Sequence, residues 1–415
     1  MKKYVIITPS IRDIGGAQMY VRNKIIYLQN RGWVVDLISA QKGIVYISEL
    51  KKYDLIIPEL NFNYYYYSKK KQEKVVSKIV KRILDNNYDE MVIESTCISE
   101  STWAEVVAER CNARHFTFLL QEDNNLTSNM DKEFVKFKFT RKELASINVQ
   151  SLYNMFASFY PISMEESSKY YLPAWCNNVE EDIDSEWIYK IKERKYDFLV
   201  GCLSRLDKPF IMPSLKSFIN YANKYPNKRF LLVMLGGAPN GSGIEKNIRL
   251  IFKPIKNVEL IITGYIFPVS TRLLEMFDAF FTSAGSSRVC MRSGVPTITI
   301  DGNDFMPIGV LGRTTNNLLF RDKGKEIPLD FSYIMDKVLV DKTFLKLKAS
   351  YNFQQLDFSS HDVFLKNMIK PKLYFSYKKP FLEVSEKKLS TMLRLIGAKN
   401  YISLSILKKH ILSFL

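Results

Sequence analysis

Residues 4–39, YVIITPSIRDIGGAQMYVRNKIIYLQNRGWVVDLIS, contain the pattern that decides the fold class. Tyr4–Thr8 is a short apolar run of the kind that forms a buried strand, and Gly15-Gly16 interrupts the chain before an amphipathic stretch, Ala17–Gln29. A second apolar run, Val34–Ser39, follows. A strand, a glycine turn, a helix and another strand in this order predict a βαβ unit with parallel strands.

The same alternation continues along most of the chain. In the first half it predicts further strands at 54–57, 91–94 and 115–120 and helices at 73–85 and 102–110. After an acidic connector at 180–186 it restarts, with strands at 198–202, 229–235, 258–263, 279–282 and 297–300 and a helix at 213–224. The sequence therefore predicts two α/β domains, residues 1–190 and 191–370, and a basic, amphipathic helical tail at 371–415.

The composition is that of a globular protein with a strong basic surplus. Of 415 residues, 47% are hydrophobic and 25% are charged, values that exclude a disordered chain, a collagen and a coiled-coil array. The net charge of +17 indicates an anionic partner, either nucleic acid, anionic lipid or a phosphorylated substrate. Residues 366–415 alone carry eleven Lys and Arg against two Glu. Because the basic residues cluster there, and no RNA-recognition, helix-turn-helix or zinc motif occurs, we expect no nucleic-acid partner.

The cysteines and histidines argue against a disulfide framework and against a metal centre. Five cysteines are scattered without a Cys-x-x-Cys pair, and only three histidines occur. Asp182-Ile183-Asp184 has the form of a metal–diphosphate motif, but it lies in the acidic connector, and a solvated connector is the favoured interpretation. No apolar run reaches the roughly eighteen residues that a membrane-spanning helix needs. Residues 1–10 indicate a strand, not a secretion signal, so we expect a cytoplasmic protein, soluble or peripheral to a membrane.

Two turns that join a strand to a helix are candidate ligand sites. Gly15, Gly16 and Gln18 open a helix whose exposed N–H groups favour an anion or a sugar hydroxyl. Arg205 and Lys208 follow the strand at 198–202, where ligands bind in open α/β sheets, and their charges suit a diphosphate. A tight turn without a ligand and a solvated basic loop remain open as alternatives.

A third turn and a polar loop complete the candidates. The third turn has small and basic residues at the predicted start of a helix, a composition that suits the binding of an anion or a ribose. These residues are Gly285, Ser286, Ser287 and Arg288. Ordinary strand–turn–helix packing is the alternative. Gln121 and Glu122 follow the strand at 115–120, where a carboxylate can orient an acceptor hydroxyl, and a plain polar loop is the alternative.

Taken in order, these motifs resemble the GT-B glycosyltransferases of family 4. The resemblance covers residues 1–320 and rests on GGAQ at 15–18, GWVV at 32–35, SRL at 204–206, Gly264, FDAFF at 277–281 and SGVPTI at 293–298. It implies two Rossmann-like domains facing a central cleft, the first binding the acceptor and the second a nucleotide-sugar donor, with no metal or other cofactor. Arg205 matches the family's diphosphate-binding arginine. Lys208 substitutes for a lysine that the family has at the position of Phe210.

The resemblance also implies donor contacts and reveals departures from the family. The implied donor-binding residues include Gly236, Gly264 and Tyr265. The family has two glutamates where this chain has Phe281 and Val289. Its histidine is missing too, and Gln121 and Glu122 stand in that neighbourhood. With Arg205, Lys208 and Glu122 as catalytic candidates, the transferred sugar would be held by other groups, such as Ser286, Ser287 and Arg288.

These expectations combine into a glycosyltransferase that favours retention of configuration. It would act on a glycan or lipid-linked acceptor in capsule, O-antigen or exopolysaccharide synthesis, docked on anionic lipid at the inner face of the plasma membrane. The basic tail and the Tyr64–Lys71 cluster, with its four tyrosines, would make that contact. In the alternative, the tail packs back across the first domain. A non-catalytic partner in a glycan-assembly complex is the main alternative function, and nucleic-acid binding is a weaker one.

Overall fold

The computed structural model describes residues 1–41, 43–121, 126, 128–176, 178, 180–239, 242–322, 324–351, 357–377 and 382–412, with side-chain burial up to 407. Its backbone contacts divide the chain into two compact units. The first consists of Met1–Arg12, Tyr20–Trp175 and Leu356–Leu415. The second consists of Asp13–Met19 and Cys176–Gln355. The sequence predicted domain limits at residues 190 and 370. In the structure, each unit instead combines segments that are separated in the sequence.

Strands and helices alternate through both units. The strands are β1 Lys2–Thr8, β2 Trp33–Ser39, β3 Glu90–Ser95, β4 Arg114–Leu119, β5 Leu144–Ser146, β6 Glu180–Glu181, β7 Phe198–Leu203, β8 Phe230–Leu235, β9 Val258–Ile262, β10 Val269–Ser270, β11 Ala279–Thr282, β12 Thr297–Ile300 and β13 Pro307–Val310. The α-helices are α1 Gly16–Gln29, α2 Lys69–Ile83, α3 Ile98–Cys111, α4 Asn129–Thr140, α5 Val149–Phe156, α6 Met164–Ser168, α7 Glu186–Lys192, α8 Ile211–Asn223, α9 Ile244–Phe252, α10 Thr271–Leu274, α11 Gly285–Arg292, α12 Phe331–Met335, α13 Ser359–Asn367 and α14 Val384–Leu412.

The first unit is built on a five-stranded parallel sheet in the order β2-β1-β3-β4-β5. Consecutive residues of β1, β3 and β4 are buried, so both faces of these strands are covered. Trp103 of α3 is fully buried in this core. The sheet is parallel, so the carboxyl ends of β1, β3 and β4 meet at one edge, and the loops that follow them lie side by side.

The second unit is built on a six-stranded sheet in the order β13-β12-β11-β7-β8-β9. All pairings are parallel except that of β12 with the edge strand β13, which is antiparallel. Gly201 in the middle of β7 is required because a Cβ there would lie 2.2 Å from the Phe280 ring. The strands β6 and β10 form a separate two-stranded ladder.

The predicted α/β class is confirmed, and the predicted strands coincide with observed ones apart from one. Residues 54–57 form no strand, since Ile56 makes only an isolated bridge to Ser39. The strands β5, β6, β10 and β13 were not predicted. The first three have only two or three residues, too few for a periodic pattern to mark them, and the four residues of β13 include Pro307 and Gly309, which are typical of turns.

The tail belongs to the first unit, and α14 packs on it. The α14 helix runs from Val384 to Leu412 within the predicted helical tail and is interrupted at Gly397 by a non-helical conformation. Glu386 accepts a hydrogen bond from the Tyr66 hydroxyl at 3.0 Å, and Ser390 donates one to the Tyr66 carbonyl at 2.6 Å. No helix among the described residues combines the length and the apolar character needed to cross a bilayer.

The prediction that the Tyr64–Lys71 tyrosines face a lipid interface is wrong. Tyr65, Tyr66 and Tyr67 are buried in the core of the first unit. Their hydroxyls reach polar partners inside the protein, as when Tyr65 donates to Asp131 at 2.9 Å. The residues of this cluster that are exposed are Ser68, Lys69 and Lys70.

Candidate functional site

The loops after β7, β8 and β11 meet at one edge of the second unit's sheet. The Thr282 hydroxyl at the end of β11 donates to the Leu203 carbonyl at the end of β7, at 2.7 Å. A Cβ at Gly236, after β8, would lie 1.9 Å from the Ser204 carbonyl oxygen, so only glycine allows this close approach. Ligands of open α/β sheets bind at such edges, outside the carboxyl ends of the strands.

Arg205 presents a fixed guanidinium at this edge. Its Nε and Nη2 donate to the two carboxylate oxygens of Asp207, each at 3.0 Å. The Arg205 side chain is 33% exposed, so the guanidinium is held in one orientation and still reaches solvent. Lys208 lies three residues on and is exposed. Asp207 therefore occupies one edge of the guanidinium, and the Nη1 side, with Lys208 three residues on, is the candidate for contact with a diphosphate.

The glycine turn that opens α1 lies next to Arg205. Both belong to the second unit, which includes Asp13–Met19. A Cβ at Gly15 would lie 3.5 Å from Nη1 of Arg205, and one at Gly16 would lie 3.6 Å from the Cys176 Cβ. Gln18 is buried in the first turn of α1. Two motifs that are almost 190 residues apart in sequence are thus brought together.

The start of α11 has a strained backbone and a buried hydroxyl. Ala284 adopts φ 55° and ψ −138°, a conformation that residues with a Cβ rarely adopt. Such strain is concentrated at ligand-binding sites. Gly285 is exposed and Ser286 is half-buried, whereas Ser287 is fully buried and its Oγ has no hydrogen-bond partner among the described residues. The amide N–H groups of this eight-residue helix and the Ser287 hydroxyl suit an anion or a sugar.

Arg288 is turned to a different partner. Its Nε donates to the Tyr351 hydroxyl at 3.2 Å.

The predicted residues of the β8 and β9 loops lie together, because Gly236 forms an isolated bridge with Gly264, and the Tyr265 ring packs against Gly237. The structure therefore collects the donor-side candidates in one unit, at one edge of one sheet.

The first unit has its own site at the corresponding edge of its sheet, a cavity of 310 Å³. The residues that follow β1, β3 and β4 line it, with contributions from α3 and α4: Pro9, Asn63, Ser99, Glu100, Gln121 and Asp131 are among them. Gln121 is thus placed as the sequence predicted. Glu122, the predicted catalytic carboxylate, lies outside the described residues.

Two carboxyl groups in this cavity were not identified from the sequence. Glu100 is 1% exposed, and burial raises its pKa to about 7, although the Ser99 hydroxyl donates to it at 2.8 Å. Burial also raises the pKa of Asp131 to about 6, against hydrogen bonds from Tyr65 and from the Asn63 amide at 2.9 Å and 3.0 Å. Perturbed carboxyl groups in a cavity are typical of functional sites.

The sequence contained a partial signal for Glu100. It lies in the stretch that follows the predicted strand at 91–94, as Gln121 follows β4, although Glu100 lies further from the end of its strand. Asp131 follows residues that carry no strand pattern, and its contact with Asn63 joins segments that are far apart in the chain. No local pattern indicates that contact.

Other candidate acids have structural roles. Asp182 accepts from Arg272 at 2.5 Å and Asp184 accepts from the Tyr189 hydroxyl at 2.5 Å, so the Asp-x-Asp motif makes surface contacts.

Phe281 and Val289, where family 4 has glutamates, are buried in the second unit's cores. Within the described ranges, no three His, Cys, Asp or Glu side chains are grouped as ligands of a metal ion.

Comparison with solved structures identifies the fold. A glycosyltransferase from Rickettsia africae aligns with a TM-score of 0.57 at 13% identity, covering 99% of this chain and 98% of that one. Anabaena HepE, crystallised with UDP-glucose, aligns with a TM-score of 0.56 at 12% identity, covering 94% and 98%. The catalytic domain of Arabidopsis thaliana starch synthase IV, bound to ADP and acarbose, aligns with a TM-score of 0.53 at 12% identity, covering 88% and 97%.

The chain therefore has the GT-B fold of nucleotide-sugar glycosyltransferases, and the predicted resemblance is confirmed at the level of the fold. No protein-family model and no curated protein matches the sequence. At identities of 12–13% the fold is common to these proteins and the sequence is strongly divergent.

Proposed function

We propose that this protein is a glycosyltransferase that transfers a sugar from a nucleotide-sugar donor to a glycan or lipid-linked acceptor. The GT-B fold supports this class of activity, since HepE with UDP-glucose and starch synthase IV with ADP have the same fold. The observation that carries the proposal is the position of Arg205. Its guanidinium is fixed by Asp207 next to the Gly15 turn, and β7, which ends just before it, is hydrogen-bonded to the end of β11 through Thr282.

The chemistry of donor cleavage requires such a group. When the bond between the sugar and the diphosphate breaks, negative charge develops on the leaving phosphate. A guanidinium that Asp207 already orients, Lys208 and the N-terminus of α11 can stabilise that charge without rearrangement. We therefore propose that transfer needs no metal ion, and we expect full activity in the presence of EDTA.

A thermal-shift screen tests donor binding directly. We expect one of UDP, GDP, ADP or CMP, or its sugar, to raise the melting temperature, because a ligand of the folded state stabilises it by mass action. Substitution Arg205→Ala should abolish that shift and lower turnover about 100- to 1,000-fold, the usual loss for one charge-stabilising group. Arg249→Ala, on the exposed face of α9, is the matched control. Unchanged turnover in Arg205→Ala would refute the proposal.

We further propose that transfer retains the anomeric configuration and serves a cell-surface polysaccharide such as capsule, O-antigen or exopolysaccharide. The resemblance to family 4 supports retention. NMR of the product's anomeric proton, recorded before mutarotation, distinguishes retention from inversion.

We also propose that the end of α14 docks on an anionic membrane surface at the inner face of the plasma membrane. Beyond Gly397, Leu404, Ile406 and Leu407 are exposed, and Lys399 is exposed on the same helix. Apolar side chains beside lysines on one helix suit an interface between water and anionic lipid. We expect the double variant Leu404→Ser/Leu407→Ser to lose binding to phosphatidylglycerol vesicles. Leu250→Ser, equally exposed on α9, should bind like the parent. Equal binding by all three would contradict the docking.

A second candidate function is that of a non-catalytic partner in a glycan-assembly complex. It is favoured by one observation, that Phe281 and Val289 occupy the positions of the family's glutamates and are buried. Release of free sugar from a nucleotide sugar at a rate that depends on Arg205 separates the two functions. An enzyme hydrolyses its donor slowly in the absence of acceptor, and a partner protein does not.

A further inference from the structure

The 310 Å³ cavity of the first unit has a lining chemistry that selects its ligand. Among its described lining residues are two carboxyl groups, Glu100 and Asp131, and the amides of Asn61, Asn63 and Gln121, and none is Lys, Arg or His. A phosphate or carboxylate bound there would lose its hydration without gaining a cation. A hydroxyl group would find carboxylate oxygens that accept its hydrogen bond.

The cavity's acceptor atoms are fixed before any ligand arrives. Asn63 donates to both oxygens of Asp131, and Tyr65, held by Ser128 at 3.0 Å, donates to one of them. Asn61 is held by the carbonyls of Ala40 and Pro58 at 3.1 Å and 2.9 Å. Groups with locked orientations bind a ligand without the cost of ordering them. Such a lining is a preformed binding surface.

The size of the cavity limits what fits. Small-molecule sites span about 300 to 1,000 Å³, and this cavity is at the lower end of that range. A single sugar ring with its hydroxyls is a ligand of suitable size and polarity. Pro9, Ile98 and Leu126 supply the apolar contacts that the carbon face of a sugar ring needs.

We propose that this cavity binds the terminal sugar of the acceptor, that this sugar is uncharged or amine-bearing and not acidic, and that the Glu100 carboxylate accepts a hydrogen bond from one of its hydroxyls. The proposal rests on the proposed glycosyltransferase function, which it sharpens by naming the class of acceptor. Glu100 and Asp131 select against phosphorylated sugars and uronic acids.

The experiment is saturation-transfer NMR on the full chain with a panel of methyl glycosides. The panel contains glucose, galactose, mannose, rhamnose and N-acetylglucosamine glycosides, glucosamine, and two acidic probes, glucuronic acid and glucose 6-phosphate. We expect saturation transfer to at least one neutral sugar or to glucosamine, and none to the acidic probes. Glu100→Gln should weaken that binding about tenfold or more, as the loss of one charged hydrogen bond does.

Two further variants serve as controls, one that fills the cavity and one that removes a charge outside it. Ser99→Trp fills the cavity without removing a charge and should abolish sugar binding. Glu133→Gln, an exposed residue on the same helix as Asp131, should bind sugar like the parent. Thermal shift by the nucleotide reports donor binding in every variant. It should be unchanged, which shows that the protein is folded.

The outcomes separate this proposal from the proposed function. Sugar binding that survives both Glu100→Gln and Ser99→Trp, acidic sugars that bind as tightly as neutral ones, or no bound sugar in the panel would overturn the cavity's assignment, even if nucleotide binding is intact. Absence of any nucleotide shift, with sugar still bound in the cavity, would instead count against the glycosyltransferase function.

Discussion

Glu100 and Glu105 lie five residues apart on α3, are both almost fully buried, and have opposite electrostatic environments. Glu105 accepts hydrogen bonds from Lys138 at 2.9 Å and from His115 at 2.5 Å. Although burial raises the pKa of Glu105, these two partners lower it to about 2. No cation of the described residues pairs with Glu100, and burial raises its pKa to about 7. Burial therefore does not by itself fix the pKa of an acid, and the nearest cation decides its direction.

The Glu105 cluster is part of the framework of the first unit. Lys138 also donates to Glu143 at 2.8 Å, and the backbone N–H of Phe375 donates to Glu105 at 2.8 Å. These bonds tie the segment before α14 to α3 and α4. Glu100, in contrast, is a buried carboxyl group that pairs with no cation in the part of the chain that the structure describes, and its burial has a cost in stability.

The largest effect is expected from breaking the paired cluster. Glu105→Gln replaces the buried carboxylate that accepts from Lys138 and His115 with a neutral amide, and we expect it to lower the free energy of unfolding by about 3 to 5 kcal/mol. Urea unfolding followed by tryptophan fluorescence measures this. The control is Glu109→Gln, an exposed position on the same helix. A loss no larger than that of the control would show that the cluster does not stabilise the first unit.

The cluster and the cavity should also respond to pH with opposite signs. Glu105 contributes to the free energy of unfolding above pH 4.5, its pKa in the unfolded chain. This contribution is lost as the pH falls through about 2, its pKa in the folded protein. Burial, together with Lys138, lowers the pKa of His115 to about 4, so its contribution is lost as the pH falls from 6.5 through 4. Acid therefore weakens the cluster.

The next largest effect concerns Glu100, whose folded pKa is raised. The contribution of Glu100 to the free energy of unfolding is present below pH 4.5 and is lost as the pH rises through about 7. Between these two pKa values the free energy of unfolding falls by about 3 kcal/mol. We therefore expect Glu100→Gln to be more stable than the parent by about that amount at pH 8 and equal to it at pH 4.5. Urea unfolding at the two pH values checks this. Asp131 is present in both proteins, so the difference between them isolates Glu100. An equal difference at both pH values would contradict the assignment.

The smallest effect is expected where an acid is paired but exposed. Glu73 on α2 pairs with Arg110 on α3 through bonds of 2.9 Å and 3.0 Å, in full contact with solvent. Solvent and salt screen such a pair, and the stability that it adds is small. We expect Glu73→Gln to leave the melting temperature unchanged in 50 mM and in 500 mM NaCl. A salt-dependent drop would show that the pairing alone, without burial, stabilises the α2–α3 contact.

The fold and the placement of Arg205 after the end of a strand were predictable because their signals are local. The apolar runs that became β1, β7 and β8 and the glycines of the turns are constraints on the chain within a few residues. Arg205 could be identified because a strand pattern ends just before it. In open α/β sheets ligands bind outside the carboxyl ends of the strands, so a loop that follows a strand is a candidate binding site in any sequence with this fold.

The acceptor side and the tail were less predictable because their chemistry depends on distant contacts. The Tyr64–Tyr67 run has an amphipathic appearance, yet Tyr65 is buried against Asp131, and Tyr66 against Glu386. Glu100 looks like an ordinary acid in the first turn of a helix. Its burial comes from segments far away in sequence.

By itself the sequence determined the alternation of strands and helices, the two α/β units and the basic residue at the end of β7, since backbone geometry and hydrophobic periodicity act within one element. Only the tertiary structure decided which acids are paired and which are left for a ligand. The pKa of a buried carboxyl group depends on the cations that folding brings near it, and those cations come from other parts of the chain.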